Sequence, residues 1–217
     1  MHVMIINGSP RVKKYSNTDK ILAKFTAGFT AQGNTFEQYE VSDRKHWDSI
    51  REAWDKNDNI LMAIPLYVEN LPGLLLEFLA TVTPKDGTAK IAYILQGGFA
   101  EGSQLRCGEE YLVMLSKRLG CEYKGTLVKG DNFSIRFFEG EQQDKVTGPY
   151  QKMGEVYGRN GDFFDDECKK FTGPEVFPAH IRFLVGIIFK MFAKNGFKKI
   201  AKGWGCDKPL DYRPYGA

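Results

Sequence analysis

Val3-Met4-Ile5-Ile6-Asn7-Gly8-Ser9-Pro10-Arg11-Val12-Lys13-Lys14-Tyr15-Ser16-Asn17-Thr18 is the stretch that decides the fold. It opens on an unbroken apolar run, as in a strand buried on both faces of a parallel sheet. Gly8 allows a sharp exit from that strand, and Pro10 restrains the loop that follows. Ser16 or Asn17 can then cap a helix from about Thr18 to Gln32, with Ile21, Leu22, Phe25 and Phe29 at helical spacing and Gly33 as its stop. The loop gathers Ser9, Ser16, Asn17 and Thr18 beside the first N–H groups of that helix, where the helix dipole favours an anion. One such residue suffices for a cap; four together point to an anion site.

Two common nucleotide signatures are absent. The loop has neither the second glycine nor the adjacent lysine of G-x-x-x-x-G-K-[ST], and it lacks the second glycine of G-x-G-x-x-G. Outward from it, strands are expected at Thr35–Val41, Asn59–Ile64, Ala89–Leu95 and between Glu122 and Val128. Helices are expected at Ser49–Lys56, Pro72–Val82 and Gln104–Leu119. The alternation predicts a doubly wound parallel sheet with helices on both faces and a crevice at the carboxyl ends of its strands. This accounts for residues 1–130. Residues 131–217 are less regular, with helices expected near Pro149–Tyr157 and Pro178–Ala193, and are expected to pack as an appendage on the same domain.

The chain's 217 residues suffice for one sizeable core. Lys and Arg number 30 against 27 Asp and Glu, a net charge of +3 that gives no argument for nucleic acid. Cys107, Cys121, Cys168 and Cys206 are too widely spaced for a zinc site or an iron–sulfur cluster, so no metal is expected. Met1–Ile6 carries no basic leader, and the longest apolar stretch, Phe183–Phe189, is too short to span a membrane. A cytoplasmic protein is expected.

Gly8-Ser9-Pro10-Arg11 followed by Ser16-Asn17-Thr18 resembles the phosphate loop of the flavodoxin-like NAD(P)H-dependent FMN reductases. The resemblance implies a five-stranded flavodoxin-like sheet of order 2-1-3-4-5 and FMN at its switch point. It puts Ser9, Arg11, Ser16, Asn17 and Thr18 at the FMN phosphate. Pro65-Leu66-Tyr67-Val68, after the third strand, is similar to the family's second flavin loop, which implies that these four residues lie along the isoalloxazine ring. Gln96-Gly97-Gly98, after the fourth, is similar to the loop whose N–H groups meet the pyrimidine side. The resemblance covers about Val3 to Gly120 and implies a homodimer that takes a hydride from NADPH or NADH and passes it through FMN to a small-molecule acceptor such as a quinone or flavin. It names no catalytic side chain. A flavodoxin-like electron carrier is the rival reading, although its usual acidic charge is missing; a flavin-free protein that kept the fold is another.

In the appendage, Ile181, Leu184, Val185, Ile188, Phe189 and Phe192 recur at helical spacing. A helix packed on the sheet domain or across a dimer interface is expected, with a membrane-surface helix as the alternative. Phe133, Phe137, Phe138 and Trp204 suit a flavin cover or an interface equally.

Overall fold

The computed structural model describes residues 1–213, 215 and 216. Five parallel strands form one sheet in the order β2-β1-β3-β4-β5: β1 (His2–Asn7), β2 (Thr35–Glu40), β3 (Asn59–Pro65), β4 (Lys90–Gln96) and β5 (Glu122–Lys129). The expected flavodoxin-like architecture is what the structure has. Side chains alternate across the sheet, so β1 sends Met4 and Ile6 to one face and Val3 and Ile5 to the other. The first face is covered by α2 (Trp47–Lys56), α3 (Gly73–Leu79) and α4 (Arg106–Arg118), which bring Trp54, Phe78 and Leu112 into its core. The second is covered by α1 (Asn17–Ala31), whose Ile21, Leu22, Phe25 and Phe29 are buried as their spacing predicts.

Residues beyond β5 complete that second face. α5 (Gly140–Thr147) is followed by α6 (Pro149–Asn160), which buries Tyr150, Met153, Val156 and Tyr157 against α1. The contact is backbone to backbone: a Cβ on Gly28 would lie 1.9 Å from the Gln151 carbonyl oxygen, and one on Gly154 would lie 1.9 Å from that of Phe25. α7 (Asp166–Thr172) then adds Cys168, and Phe163 just before it stacks on Tyr157 with ring centroids 4.7 Å apart. The compact first unit therefore runs Met1–Glu175, and the division expected at residue 130 falls inside it. α5 and α7 were not anticipated: each is short and has only one or two buried residues.

The second unit, Val176–Ala217, is built on α8 (Ala179–Gly203). α8 runs well past the expected end at Ala193, because a single Gly196 costs a helix only about 1 kcal/mol and good helix formers follow it. None of its residues is buried. Among the described residues no helix is long and apolar enough to cross a membrane.

Candidate functional site

All five strands point the same way, so Asn7, Pro65, Gln96 and Lys129 end at one edge of the sheet. The loops leaving them enclose a cavity of about 250 Å³. Each loop is fixed by buried polar contacts. Asn7, fully buried, accepts from Ser9 N at 3.0 Å and donates to Asp19 Oδ2 at 2.9 Å. Gly8 N donates to Ala63 O at 2.9 Å, and Arg11 N to Ser9 Oγ at 3.3 Å. The second loop joins the third where Leu66 N donates to Gln96 O at 2.8 Å. Gln96 Nε2 reaches Thr18 Oγ1 at 3.5 Å, which ties the third loop back to the first.

Of the residues expected from sequence, Ser9, Arg11, Asn17, Thr18, Pro65, Leu66, Tyr67, Gln96, Gly97 and Gly98 line this cavity. Val68 stands outside it. It borders an adjoining hollow of about 280 Å³ that shares Leu66, Gly97 and Gly98 with the first. Ser16 lines neither; it is fully buried, and its Oγ accepts from Asp19 N at 3.2 Å as the cap of α1. Gly97 N is committed to Lys129 O at 3.1 Å, which leaves Gly98 as the better placed amide of that pair for a ring edge.

Asn132, Phe133 and Arg136 also line the cavity; of these, sequence reasoning had noted only Phe133. They follow β5, so the strand-end rule that found the other loops applies to them as well. Asn132 joins the loops together. Its O accepts from Asn17 Nδ2 at 2.9 Å, its N donates to Gly97 O at 3.0 Å, its Nδ2 donates to Lys129 O at 2.9 Å, and its Oδ1 accepts from Tyr150 OH at 3.2 Å. Through Tyr150 the cavity wall rests on α6.

The cavity lining is of two chemical kinds. One is polar: Ser9, Asn17, Thr18 and the first amides of α1, which have no carbonyl partner within the helix. Arg11 and Arg136 also line the cavity; burial lowers the Arg136 pKa, the like charge of Arg11 lowers it further, and Tyr67 acts in the opposite direction. Two cations at one cavity create a field that an anion relieves. Asn17 Oδ1 is buried with no hydrogen-bond partner among the described residues, an acceptor suited to a ligand hydroxyl. Pro65, Leu66 and Tyr67 line the same cavity, and the Phe133 and Phe137 rings lie 5.4 and 5.5 Å from the Arg136 guanidinium.

The Tyr67–Asn70 turn holds backbone strain. Tyr67 N donates to Asn70 O at 2.9 Å and Asn70 N to Tyr67 O at 3.1 Å, closing a two-residue loop. Val68 at φ 48° and Glu69 at φ 65° are both left-handed, which neither side chain favours, least of all a β-branched one. Val68 is 98% exposed, so no packing holds it there. Strain of this kind clusters at ligand-clamping loops.

No known protein-family profile and no curated protein match the chain. Solved structures do match in fold. An FMN-dependent NADH-azoreductase from Bacillus anthracis str. Ames Ancestor, solved in complex with FMN, is 14% identical, with a TM-score of 0.55 over 73% of this chain and 98% of its own. An NADPH-quinone reductase from P. pentosaceus is 16% identical, with a TM-score of 0.51 over 71% and 98%. The Trp repressor binding protein from Bacillus subtilis is 17% identical, with a TM-score of 0.51 over 70% and 95%. These likenesses establish a flavodoxin-like fold.

Proposed function

We propose that the chain is an FMN-dependent oxidoreductase that passes a hydride from NADH or NADPH to a small-molecule acceptor such as a quinone or a free flavin. The observation that carries this reading is that one strand-end cavity is lined both by Ser9, Asn17, Thr18 and the cations Arg11 and Arg136 and by the apolar stretch Pro65-Leu66-Tyr67. A phosphate linked to a flat ring matches that lining in polarity. The orphaned Asn17 Oδ1 suits a hydroxyl of the linker between them.

FMN would supply the hydride chemistry, and the protein need only bind, orient and tune it. Ser9, Asn17, Thr18 and Arg11 would hold the phosphate. Pro65, Leu66 and Tyr67 would pack along the ring and exclude water, with the Tyr67 hydroxyl as a polar contact. The Gly98 amide would stabilise negative charge at the pyrimidine edge. The azoreductase and quinone-reductase neighbours support the reading, as does the sequence resemblance, from which a cytoplasmic homodimer is also inferred.

The test is a visible spectrum of the purified protein followed by anaerobic addition of NADH or NADPH. A flavin spectrum that either donor bleaches is expected. A colourless protein that does not take up FMN overturns the proposal. A yellow protein that neither donor bleaches replaces it with an electron carrier.

A further inference from the structure

The α8 helix presents an apolar face that nothing in the proposed oxidoreductase chemistry uses. Leu184, Val185, Ile188, Met191 and Phe192 fall on one side at helical spacing, and all are exposed, Met191 and Phe192 by 64% each. Toward the carboxyl end the same side changes character: Lys198, Lys199 and Lys202 continue it. Arg182, Gly186 and Lys190 recur every fourth residue on the other side, where Phe183 and Phe197 are exposed as well. From Ala179 to Gly203 there is no Asp or Glu, while the whole chain is only +3, so the remaining residues are together net negative.

We propose that α8 docks the protein on an anionic lipid surface, lying in the interface with its apolar face in the acyl boundary. Its 25 residues make a helix about 37 Å long, of which the apolar-then-basic side from Leu184 to Lys202 takes about 28 Å. Such a helix sinks roughly 5–10 Å into the headgroup region. Lys198, Lys199 and Lys202 lie on the membrane side, where their stems cover apolar surface and their ammonium groups reach lipid phosphates. Arg182 and Lys190 remain toward water.

Charge decides against a second copy of α8 as the occupant. Two helices paired in parallel on this face set Lys198, Lys199 and Lys202 against themselves. Paired antiparallel, they bury those lysines against Leu184, Ile188 and Phe192 with no carboxylate on either helix. An anionic bilayer satisfies both ends of the face.

Trp204, at the carboxyl cap of α8 and 68% exposed, provides the probe, because Trp47 and Trp54 are buried in the first unit. Full-length protein is mixed with phosphatidylcholine vesicles with or without about 30 mol % phosphatidylserine. Binding is read by flotation and by the emission difference from a Trp204→Phe variant. A blue shift and flotation with the anionic vesicles are expected, both lost at about 0.5 M salt. Lys198→Gln/Lys199→Gln/Lys202→Gln should weaken partitioning by on the order of a hundredfold. Ile188→Ser/Phe192→Ser should abolish the blue shift, with unchanged Trp47 and Trp54 emission showing that the first unit stays folded. Equal binding to neutral vesicles, or no binding to anionic ones, overturns the proposal. So does a lipid-free dimer that Ile188→Ser/Phe192→Ser converts to monomer. None of these readouts depends on flavin.

Discussion

Replacing Gly154 by alanine tests the contact on which the second face of the sheet depends. The new Cβ would lie 1.9 Å from Phe25 O, 2.9 Å from Phe25 C and 2.9 Å from Phe29 N. All three are backbone atoms inside a helix, so no side chain can rotate away. Restoring a van der Waals separation of about 3.5 Å requires α1 and α6 to part by more than about 1 Å, a gap that forfeits a quarter to a half of each contact's attraction. The contacts at stake include Phe25 and Phe29 on Tyr157, with centroids 5.9 Å apart in each pair. Overpacking typically costs 1–3 kcal/mol, and with backbone on both sides the upper end applies, about 3 kcal/mol. For a chain of this size that lowers Tm by roughly 6–12 °C. Thermal and urea unfolding followed by Trp47 and Trp54 emission, in a Trp204→Phe background, measures it. Gly73→Ala is the control, since its Cβ would meet nothing within 4 Å, and it should cost nothing. A Gly154→Ala protein within about 0.5 kcal/mol of its parent would refute the reasoning, because surface-like substitutions fall in that range.

Burial raises the carboxyl pKa of both Asp19 and Glu40; Gln38 Nε2 bridges them, 2.7 Å from Glu40 Oε1 and 3.5 Å from Asp19 Oδ1. The folded chain then keeps a proton that the unfolded chain has already released. Stability should therefore be greatest at or below ordinary carboxylate pKa values and fall as pH rises through the raised ones. Glu40→Gln, a mimic of the protonated form, should flatten that decline in urea titrations across pH; an unchanged slope would assign the proton elsewhere. Val68→Asn/Glu69→Gly places residues suited to left-handed backbone at the strained turn, and should gain about 1–2 kcal/mol and a few degrees of Tm. A lower Tm would mean that the turn is not held as described. Ser9→Ala/Asn17→Ala should weaken FMN at least tenfold and riboflavin much less, as measured by flavin fluorescence quenching, because the Ser9 hydroxyl donor is lost and so is the Asn17–Asn132 bond that holds the loop at the phosphate. Equal losses for both ligands would remove the phosphate from this loop.

The strands were legible because a strand buried on both faces leaves a short, dense apolar run, and Val3–Ile6, Asn59–Ile64 and Ala89–Leu95 each do so before a glycine or proline loop. Three of the four cavity loops followed from those strand ends. Asn132 did not, because what matters about it is made by long-range contacts, to Asn17 and Gly97 on other loops and to Tyr150 on α6. Ser16 was placed at the anion site for carrying a hydroxyl, yet the same hydroxyl is spent on the Asp19 amide. Residue type identifies a donor; only the fold decides where it points.

Helical periodicity has a similar limit, since it identifies an apolar face without saying what covers it. Phe25 and Phe29 in α1 repeat every four residues and are buried; Ile188 and Phe192 in α8 repeat the same way and are exposed. The difference between the two helices was present in the sequence, on their polar residues rather than their apolar ones. α1 carries Asp19, which is buried and bonded to Asn7, together with Lys20 and Lys24, and Lys24 pairs with Asp144. α8 carries lysine and arginine alone. A one-signed helix repels itself unless an opposite charge lies nearby, and Lys198, Lys199 and Lys202 continue the apolar side while Arg182 and Lys190 lie on the other. That placement requires a partner both apolar and anionic over one continuous area, which a lipid interface supplies and a folded protein face rarely does.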